Sequence, residues 1–335
     1  MFCPTPFSRL HIYTNGEASL CYGFTWNTLP VGNILTDDVS AIWTGPLAAE
    51  KRQSILDQSF RYCADCRCPE LIERRPPPAS IDLSTIDCLA LAYDYTCNIS
   101  CPSCRRDLVK HSPRSREVHE ATIKSGIYKI ARSVSISGSG EPLASKLFWD
   151  LMRRWKDIDC HPQLGIILCS NGLWLSPQVV DKIRGYGKPI YGAEISVDAA
   201  TAETYAKNRR GGDFERLCAN LSRIVDCGVP LRVNFVVQAN NFREMPAFVE
   251  LALSWKASCV RFDAVNQWGA WSDAEYRQRA VQFPSHPLHT ELVRVLRDPS
   301  LRDERVRTAQ LSDSFFAHDC RPHTTILALA REEIP

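Results

Sequence analysis

No run of apolar residues in this 335-residue chain approaches the length of a bilayer span, so no transmembrane helix is expected. No block of like charge occurs either. With 40 Lys and Arg against 38 Asp and Glu, the formal net charge is +2, which leaves binding to nucleic acid or a membrane surface without electrostatic support. The first residues, Met1-Phe2-Cys3-Pro4, lack the basic and apolar segments of a secretory signal. Internal repeats and low-complexity tracts are missing too. These absences predict a cytoplasmic globular protein with room for one large domain or two.

Cysteine is what the chain has in plenty, with 15 residues. Cysteines stay reduced in the cytoplasm, so their clustering points to metal sites rather than disulfides. The most informative cluster is Cys97-Asn98-Ile99-Ser100-Cys101-Pro102-Ser103-Cys104, a C-x3-C-x2-C run directly after the apolar stretch Leu89–Tyr93. Zinc commonly takes four ligands in paired sets, and no matching pair follows nearby. Three thiolates from one short loop can hold three irons of a [4Fe-4S] cube and leave the fourth open, whereas such clusters ordinarily take four cysteines.

A break in composition at Glu73–Ser80, with Pro76-Pro77-Pro78, reads as a linker, since consecutive prolines suit neither a helix nor a central strand. Strand-like runs follow it at Leu89–Tyr93, Ser133–Ser137, Leu164–Ser170, Ile190–Val197, Leu231–Val237 and Cys259–Val265. Amphipathic helical stretches lie between them, among them Arg116–Ala131, Lys146–Ile158, Pro177–Tyr186, Asp213–Cys227 and Phe242–Ala257. Such alternation predicts an α/β fold of parallel βα units. In barrels of this kind the chemistry sits at the C-terminal ends of the strands.

The cysteine loop, together with Ser137-Gly138-Ser139-Gly140-Glu141-Pro142 after the second strand, resembles the radical SAM superfamily. The order of further elements agrees: Cys169-Ser170-Asn171-Gly172 after the third strand and Ser196-Val197-Asp198 on the fourth. The resemblance implies a partial (β/α)6 TIM-like barrel. It also implies a cluster on Cys97, Cys101 and Cys104 whose open iron chelates S-adenosyl-L-methionine. Ser139, Gly140 and Glu141 would then hold the methionine amino group, in a turn where Ser139 replaces the usual glycine. Ser170 and Asn171, in a turn similar to the family's Thr-Asn-Gly turn, would bind the cofactor as well. Alternation would put Ser196 and Asp198 on one face toward the ribose, and Arg209 or Arg210 would pair with the methionine carboxylate. Asn234, Gln238 and Asn266 are weaker candidates at strand ends. Ser103 stands where the family usually has an aromatic residue near adenine.

Before the linker, Asn15-Gly16 between two extended runs predicts a hairpin bringing Cys3 and Cys21 toward one metal centre. With Cys63, Cys66 and Cys68, this region resembles the Twitch, or shortened SPASM, auxiliary module. Cys63 pairs with either Cys66 or Cys68 in that reading, and the module precedes the barrel instead of following it. A zinc knuckle is the alternative for four cysteines. The expected organisation is an auxiliary [4Fe-4S] module over 1–72, a Pro-rich linker over 73–85, a radical SAM partial barrel over 86–270 and a helical covering segment over 271–335.

The resemblance thus implies two [4Fe-4S] clusters, one of them bound to S-adenosyl-L-methionine, and an electron donor such as flavodoxin or ferredoxin. The expected reaction is epimerisation or dehydrogenation of a carbohydrate or aminocyclitol-type substrate. Peptide modification of the maturase type is the alternative, and a non-catalytic iron–sulfur or electron-transfer protein is the reading from another class. Cys169 and Cys320 are the candidate hydrogen donors, while Cys88, Cys160, Cys218, Cys227 and Cys259 read as small core residues.

Overall fold

The computed structural model describes residues 3–21, 29–63, 81–109, 112–136, 139–268, 270–308 and 311. Cys66, Cys68, Cys320, Ser137, Gly138 and the linker residues 73–80 lie outside them. The chain forms two compact units. One is Met1–Cys97 with Val109–Cys169 and Asp181–Tyr191; the other is Asn98–Leu108 with Ser170–Val180 and Gly192–Pro335.

The first unit begins with the expected hairpin. β1 (Arg9–Tyr13) and β2 (Glu17–Ser19) pair antiparallel, with His11 opposite Ser19. Gly16 turns the chain at a φ of 85°, a conformation that costs glycine nothing, and the Asn15 side chain accepts from the Glu17 amide at 3.0 Å. β3 (Gly32–Asn33) adds a third short strand to β2.

The sequence did not reveal where this hairpin docks. β1 pairs in parallel with β4 (Cys88–Ala92), with Arg9 opposite Cys88 and Tyr13 opposite Ala92. The N-terminal cysteine segment is therefore joined edge to edge with the strand that delivers the cysteine loop. β5 (Ser133–Ile136) and β6 (Gly165–Ser170) continue the parallel set beyond β4. Trp43 closes the entry to β4: its indole nitrogen donates to the Asp82 carbonyl at 2.9 Å and to Thr85 Oγ1 at 3.2 Å. Helices α1 (Val39–Thr44) and α2 (Pro46–Leu56) belong to the N-terminal segment.

Between β4 and β7 stand α3 (Pro113–Lys124), α4 (Lys146–Arg154) and α5 (Pro177–Arg184), with β7 spanning Ile190–Ser196. The helix expected over Arg116–Ala131 starts earlier and ends earlier. Ser112 caps it by accepting from the Ser115 amide, and Pro113 supplies a first residue already in helical φ. Similarly, the stretch expected over Phe242–Ala257 divides into a 3₁₀ turn, Phe242–Glu244, and a helix described below.

In the second unit β7 pairs in parallel with β8 (Leu231–Val237), β8 with β9 (Cys259–Ala264), and β9 with β10 (Val306–Arg307). The helices are α6 (Ala202–Asn208), α7 (Phe214–Ile224), α8 (Met245–Ser254), α9 (Asp273–Arg279) and α10 (His289–Val295). β10 corrects the expectation that everything after Trp271 is helical: Val306 pairs with Val260 and extends the sheet by one edge strand.

Burial alternates strictly along β8 and β9. The buried set, Val233, Phe235, Val237, Val260 and Phe262, forms a core with the α8 side chain Phe248. Its ring lies 4.9 Å from Phe235 and 5.9 Å from Phe262. Phe248→Ala is expected to cost about 3–5 kcal/mol, because the cavity adds to the lost transfer energy. A urea midpoint unchanged from wild type would contradict this packing.

Candidate functional site

The end of β4 sets up the cysteine loop through Asp94, which is fully buried. One carboxylate oxygen accepts from the Thr96 amide and hydroxyl at 3.0 and 2.7 Å, and the other accepts from Ser145 Oγ at 2.5 Å. Thr96 in turn accepts from the Glu141 amide at 2.8 Å. Gly140 fits against this turn only because it lacks a side chain: a Cβ there would stand 2.5 Å from the Asp94 carbonyl oxygen and 2.7 Å from that of Thr96. The Ser139-Gly140-Glu141 element is thus held directly against the residues that precede Cys97. Glu141 is buried, and its carboxylate accepts from the Leu143 amide at 3.1 Å.

In the second unit the loop tightens into a turn in which the Cys104 and Arg105 amides both donate to the Cys101 carbonyl, at 2.9 and 3.0 Å. Cys101 is buried and Cys104 half-buried. Arg105 donates to the Cys104 sulfur from Nε and Nη2 at 3.4 and 3.2 Å, and Arg209 donates to the Cys101 sulfur at 3.6 Å. Burial pushes the Cys101 thiol up, and Arg209 pulls it back.

Arg209 is the hub of this unit. It pairs with Asp198 at 2.6 Å, and both are nearly out of solvent, with side chains 13% and 3% exposed. Asp198 departs from the strand alternation that the sequence suggested. Its φ is 62°, in the left-handed region that Asn and Asp tolerate better than most residues. That turn swings its carboxylate to accept from the Val236 amide at 2.7 Å, while its own carbonyl accepts from Asn208 and Asn241 at 2.9 and 3.0 Å. Asp198 therefore spends its carboxylate on Arg209 and Val236. Ser196 stays half-buried at the end of β7.

Arg210 is placed differently. It is exposed, with Nε donating to Ser100 Oγ at 3.1 Å and Nη2 donating to the Arg106 carbonyl. Ser170 is buried and accepts from the Gly172 amide at 3.0 Å. Asn171 accepts from Leu173 and donates to Asn98 of the cysteine loop at 2.7 Å. Cys169 is half-buried on β6, 3.3 Å from the hydroxyl of Ser135. Gln238 is buried and Asn266 half-buried.

One group escaped the sequence reading. Glu194, Arg232, Arg261 and Asp263 alternate with the core residues of β7, β8 and β9 and so lie on the other face of the sheet. Arg232 pairs with Glu194 and Arg261 with Asp263, each at 2.8 Å. Burial raises the Asp263 carboxyl against the pull of Arg261. Asn234 sits opposite Arg261, and its buried side-chain oxygen has no partner among the described residues. The available signal was the charge itself, because strands buried on both faces read as continuous apolar runs.

At the N-terminus, Cys3 and Cys21 are buried and Cys63 is half-buried. Cys3 forms an apolar cluster with Phe7 and Ile55, and Cys63 packs against it.

Residues 95–252 match the radical SAM superfamily, and residues 3–68 match the SPASM iron–sulfur cluster-binding domain. The chain thus contains a radical SAM domain and, before it, a SPASM iron–sulfur cluster-binding domain. Its α/β fold carries the SPASM domain at the N-terminus, and the two domains take S-adenosyl-L-methionine and [4Fe-4S] clusters. An AdoMet-dependent heme synthase of Methanosarcina barkeri is 30% identical over 169 residues, 48% of this chain and 46% of that protein. Mycofactocin maturase MftC of Mycobacterium tuberculosis is 26% identical over 234 residues, 68% of this chain and 55% of that protein. Among solved structures, Streptococcus suis SuiB bound to precursor peptide SuiA aligns with a TM-score of 0.42 and 12% identity, covering 80% of this chain and 64% of that one. The chain spans about half the length of the curated relatives it matches.

The residues present fit these groups. The Cys104 and Cys101 sulfurs carry arginine donors. The Nε of Arg209, beside Cys101, is a buried donor with no acceptor among the described residues, which suits an anionic group at that place. At the N-terminus Cys3 and Cys63 share an apolar cluster, where thiols suit a buried metal group.

Proposed function

We propose that the chain is a radical SAM enzyme that modifies a peptide. The observation that carries this reading is the match to a peptide maturase along 68% of the chain, with all three cysteines of the C-x3-C-x2-C loop in place. PqqA peptide cyclase of Methylorubrum extorquens adds support, at 24% identity over 66% of the chain. The carbohydrate expectation rested on a single auxiliary cluster and on no obvious peptide-binding winged-helix segment in the sequence, and the relatives give it less support than they give the peptide reading. The rows of Glu194, Arg232, Asn234, Arg261 and Asp263 suit a substrate segment rich in polar groups.

In this reading Cys97, Cys101 and Cys104 hold one cluster. Cys3, Cys21, Cys63 and one of Cys66 or Cys68 hold the other. Ser139, Gly140 and Glu141 contact the methionine end of the cofactor. Arg209 is the better-placed arginine for its carboxylate, because Asp198 fixes the guanidinium and Nε remains to donate; Arg210 is tied to Ser100 and Arg106. When bound, the cluster and S-adenosyl-L-methionine supply a 5′-deoxyadenosyl radical that removes a substrate hydrogen atom. The proposed organisation keeps the module over 1–72, the linker over 73–85, the barrel over 86–270 and the cover over 271–335.

The test uses anaerobically reconstituted, reduced protein with S-adenosyl-L-methionine and short peptides encoded beside its own gene. The expected result is 5′-deoxyadenosine together with a peptide two hydrogens lighter. Protein carrying about eight irons, as two clusters would, that releases no 5′-deoxyadenosine would sink the enzymatic reading. A sugar product with unchanged peptides would restore the carbohydrate reading. In that case solvent deuterium at one inverted carbon marks epimerisation, and Cys169 is the donor thiol to replace first.

A further inference from the structure

Tyr93, directly after β4, is fully buried, and its hydroxyl lies 2.9 Å from Nδ1 of His119 on α3. The other ring nitrogen, Nε2, lies 3.1 Å from Oδ2 of Asp150 on α4. A carboxylate only accepts, so Nε2 carries the proton and Nδ1 accepts from the Tyr93 hydroxyl. Burial holds the His119 pKa below the usual imidazole value, against the pull of Asp150, and keeps the ring neutral. Asp150 is half-buried and pairs with Arg154 at 3.4 Å, and Arg154 pairs with Glu120 at 2.8 Å. His119, Glu120 and Asp150 lie close enough to share a metal ion, but Arg154 already supplies the cation between the carboxylates.

The relay from the surface thus ends on the residue before Asp94. The Tyr93 ring also packs on Phe148, at 5.0 Å, in the first turn of α4. Ser145, the cap of that helix, donates to the Asp94 carboxylate and accepts from the Phe148 amide. Helix α4 therefore grips the chain at Tyr93 and at Asp94, and α3 grips it through His119. The turn beyond has no room to drift. Gly140 lies against the Asp94 and Thr96 carbonyls where no Cβ would fit, and the Glu141 amide donates to Thr96. A displacement of Tyr93 passes through Asp94 straight into Ser139-Gly140-Glu141. Without His119 the Tyr93 hydroxyl would be a buried donor lacking its acceptor, a costly state that the strand end can relieve only by moving.

We propose that His119 is a positioning residue for S-adenosyl-L-methionine: by holding Tyr93 it fixes the turn at Asp94–Thr96 on which Ser139, Gly140 and Glu141 rest. This role depends on the contact of those three residues with the methionine end of the cofactor, proposed above. His119 itself touches no cofactor atom in this reading; it acts through Tyr93 and the backbone of Asp94.

The test is anaerobic isothermal titration calorimetry of the reconstituted full chain with S-adenosyl-L-methionine, which gives the dissociation constant. A misplacement of about 1 Å can cost about a hundredfold, and His119 acts at one remove, so His119→Leu and Tyr93→Phe should each weaken binding about tenfold, with iron content unchanged. The double variant should be no weaker than either, because the two groups act as one unit. His119→Gln should recover most of the affinity, since its oxygen can accept from Tyr93 and its nitrogen can donate to Asp150. Phe248→Ala, destabilised in the other unit, should bind the cofactor like wild type, which separates position from lost stability. Wild-type affinity in both His119→Leu and Tyr93→Phe would overturn the proposal. So would a His119→Gln variant as weak as His119→Leu, or an equal weakening in Phe248→Ala. Wild-type affinity in Glu141→Ala would overturn the cofactor contact itself, and the role of His119 with it.

Discussion

Alanine at Cys97, Cys101 or Cys104 is expected to bring 5′-deoxyadenosine release down to the no-enzyme background, and to lower the iron content from about eight to about four per chain. The three thiols lie within eight consecutive residues, Cys97–Cys104. Asp94 and Thr96 set the turn before them, and the turn onto the Cys101 carbonyl lies among them. A cluster that already lacks a fourth protein ligand has no spare thiolate to lose. Charge compensation is also matched to the set: Arg105 serves the Cys104 sulfur and Arg209 the Cys101 sulfur. Removing Cys101 leaves Arg209 facing a methyl group. The remaining iron should belong to the N-terminal site, whose thiols are separate in sequence. Release at the wild-type rate from any single variant would remove the cluster assignment, and with it the enzymatic reading.

Much of this was legible because it is local. The spacing of Cys97, Cys101 and Cys104 is fixed by covalent distance, and Asn15-Gly16 is a turn wherever it occurs. The six strands of βα rhythm were read correctly within a residue or two, since short apolar runs mark the fully buried strands Cys88–Ala92 and Ser133–Ile136 and alternation marks Leu231–Val237 and Cys259–Ala264. What failed to show was what only the fold brings together. Nothing around Arg9–Tyr13 tells that this strand lies parallel to Cys88–Ala92 across some eighty residues of chain. His119 looks like any histidine on a helix until the fold sets Tyr93 and Asp150 on either side of it. Asp198 reads as a strand residue on one face with Ser196, toward a ribose, until its left-handed φ turns it onto Val236 and Arg209. Likewise Glu194 and Arg232 become neighbours only through the register of two strands separated by two helices.

The Asp198–Arg209 pair yields the second large effect. Asp198→Asn keeps the shape of the side chain and a residue type that accepts the left-handed backbone, so its cost isolates the charge. The Val236 amide can still find a carbonyl oxygen on asparagine. Arg209, however, stays a cation in a nearly closed site, without the carboxylate at 2.6 Å that balanced it. Breaking a buried pair on one side typically costs about 3–5 kcal/mol, most of it the uncompensated charge left behind. The single variant should therefore lose stability on that scale in anaerobic urea unfolding. The Asp198→Asn, Arg209→Met double variant removes both charges and should regain a good part of the loss, as replacement of both partners often does. Regained stability will not bring back function. Without Arg209 the Cys101 sulfur loses its donor, and S-adenosyl-L-methionine binding should weaken in the double variant despite its recovered fold. If the double variant were less stable than Asp198→Asn alone, the pair would be a source of packing rather than of charge balance. If it bound the cofactor like wild type, Arg209 would have no part in holding it.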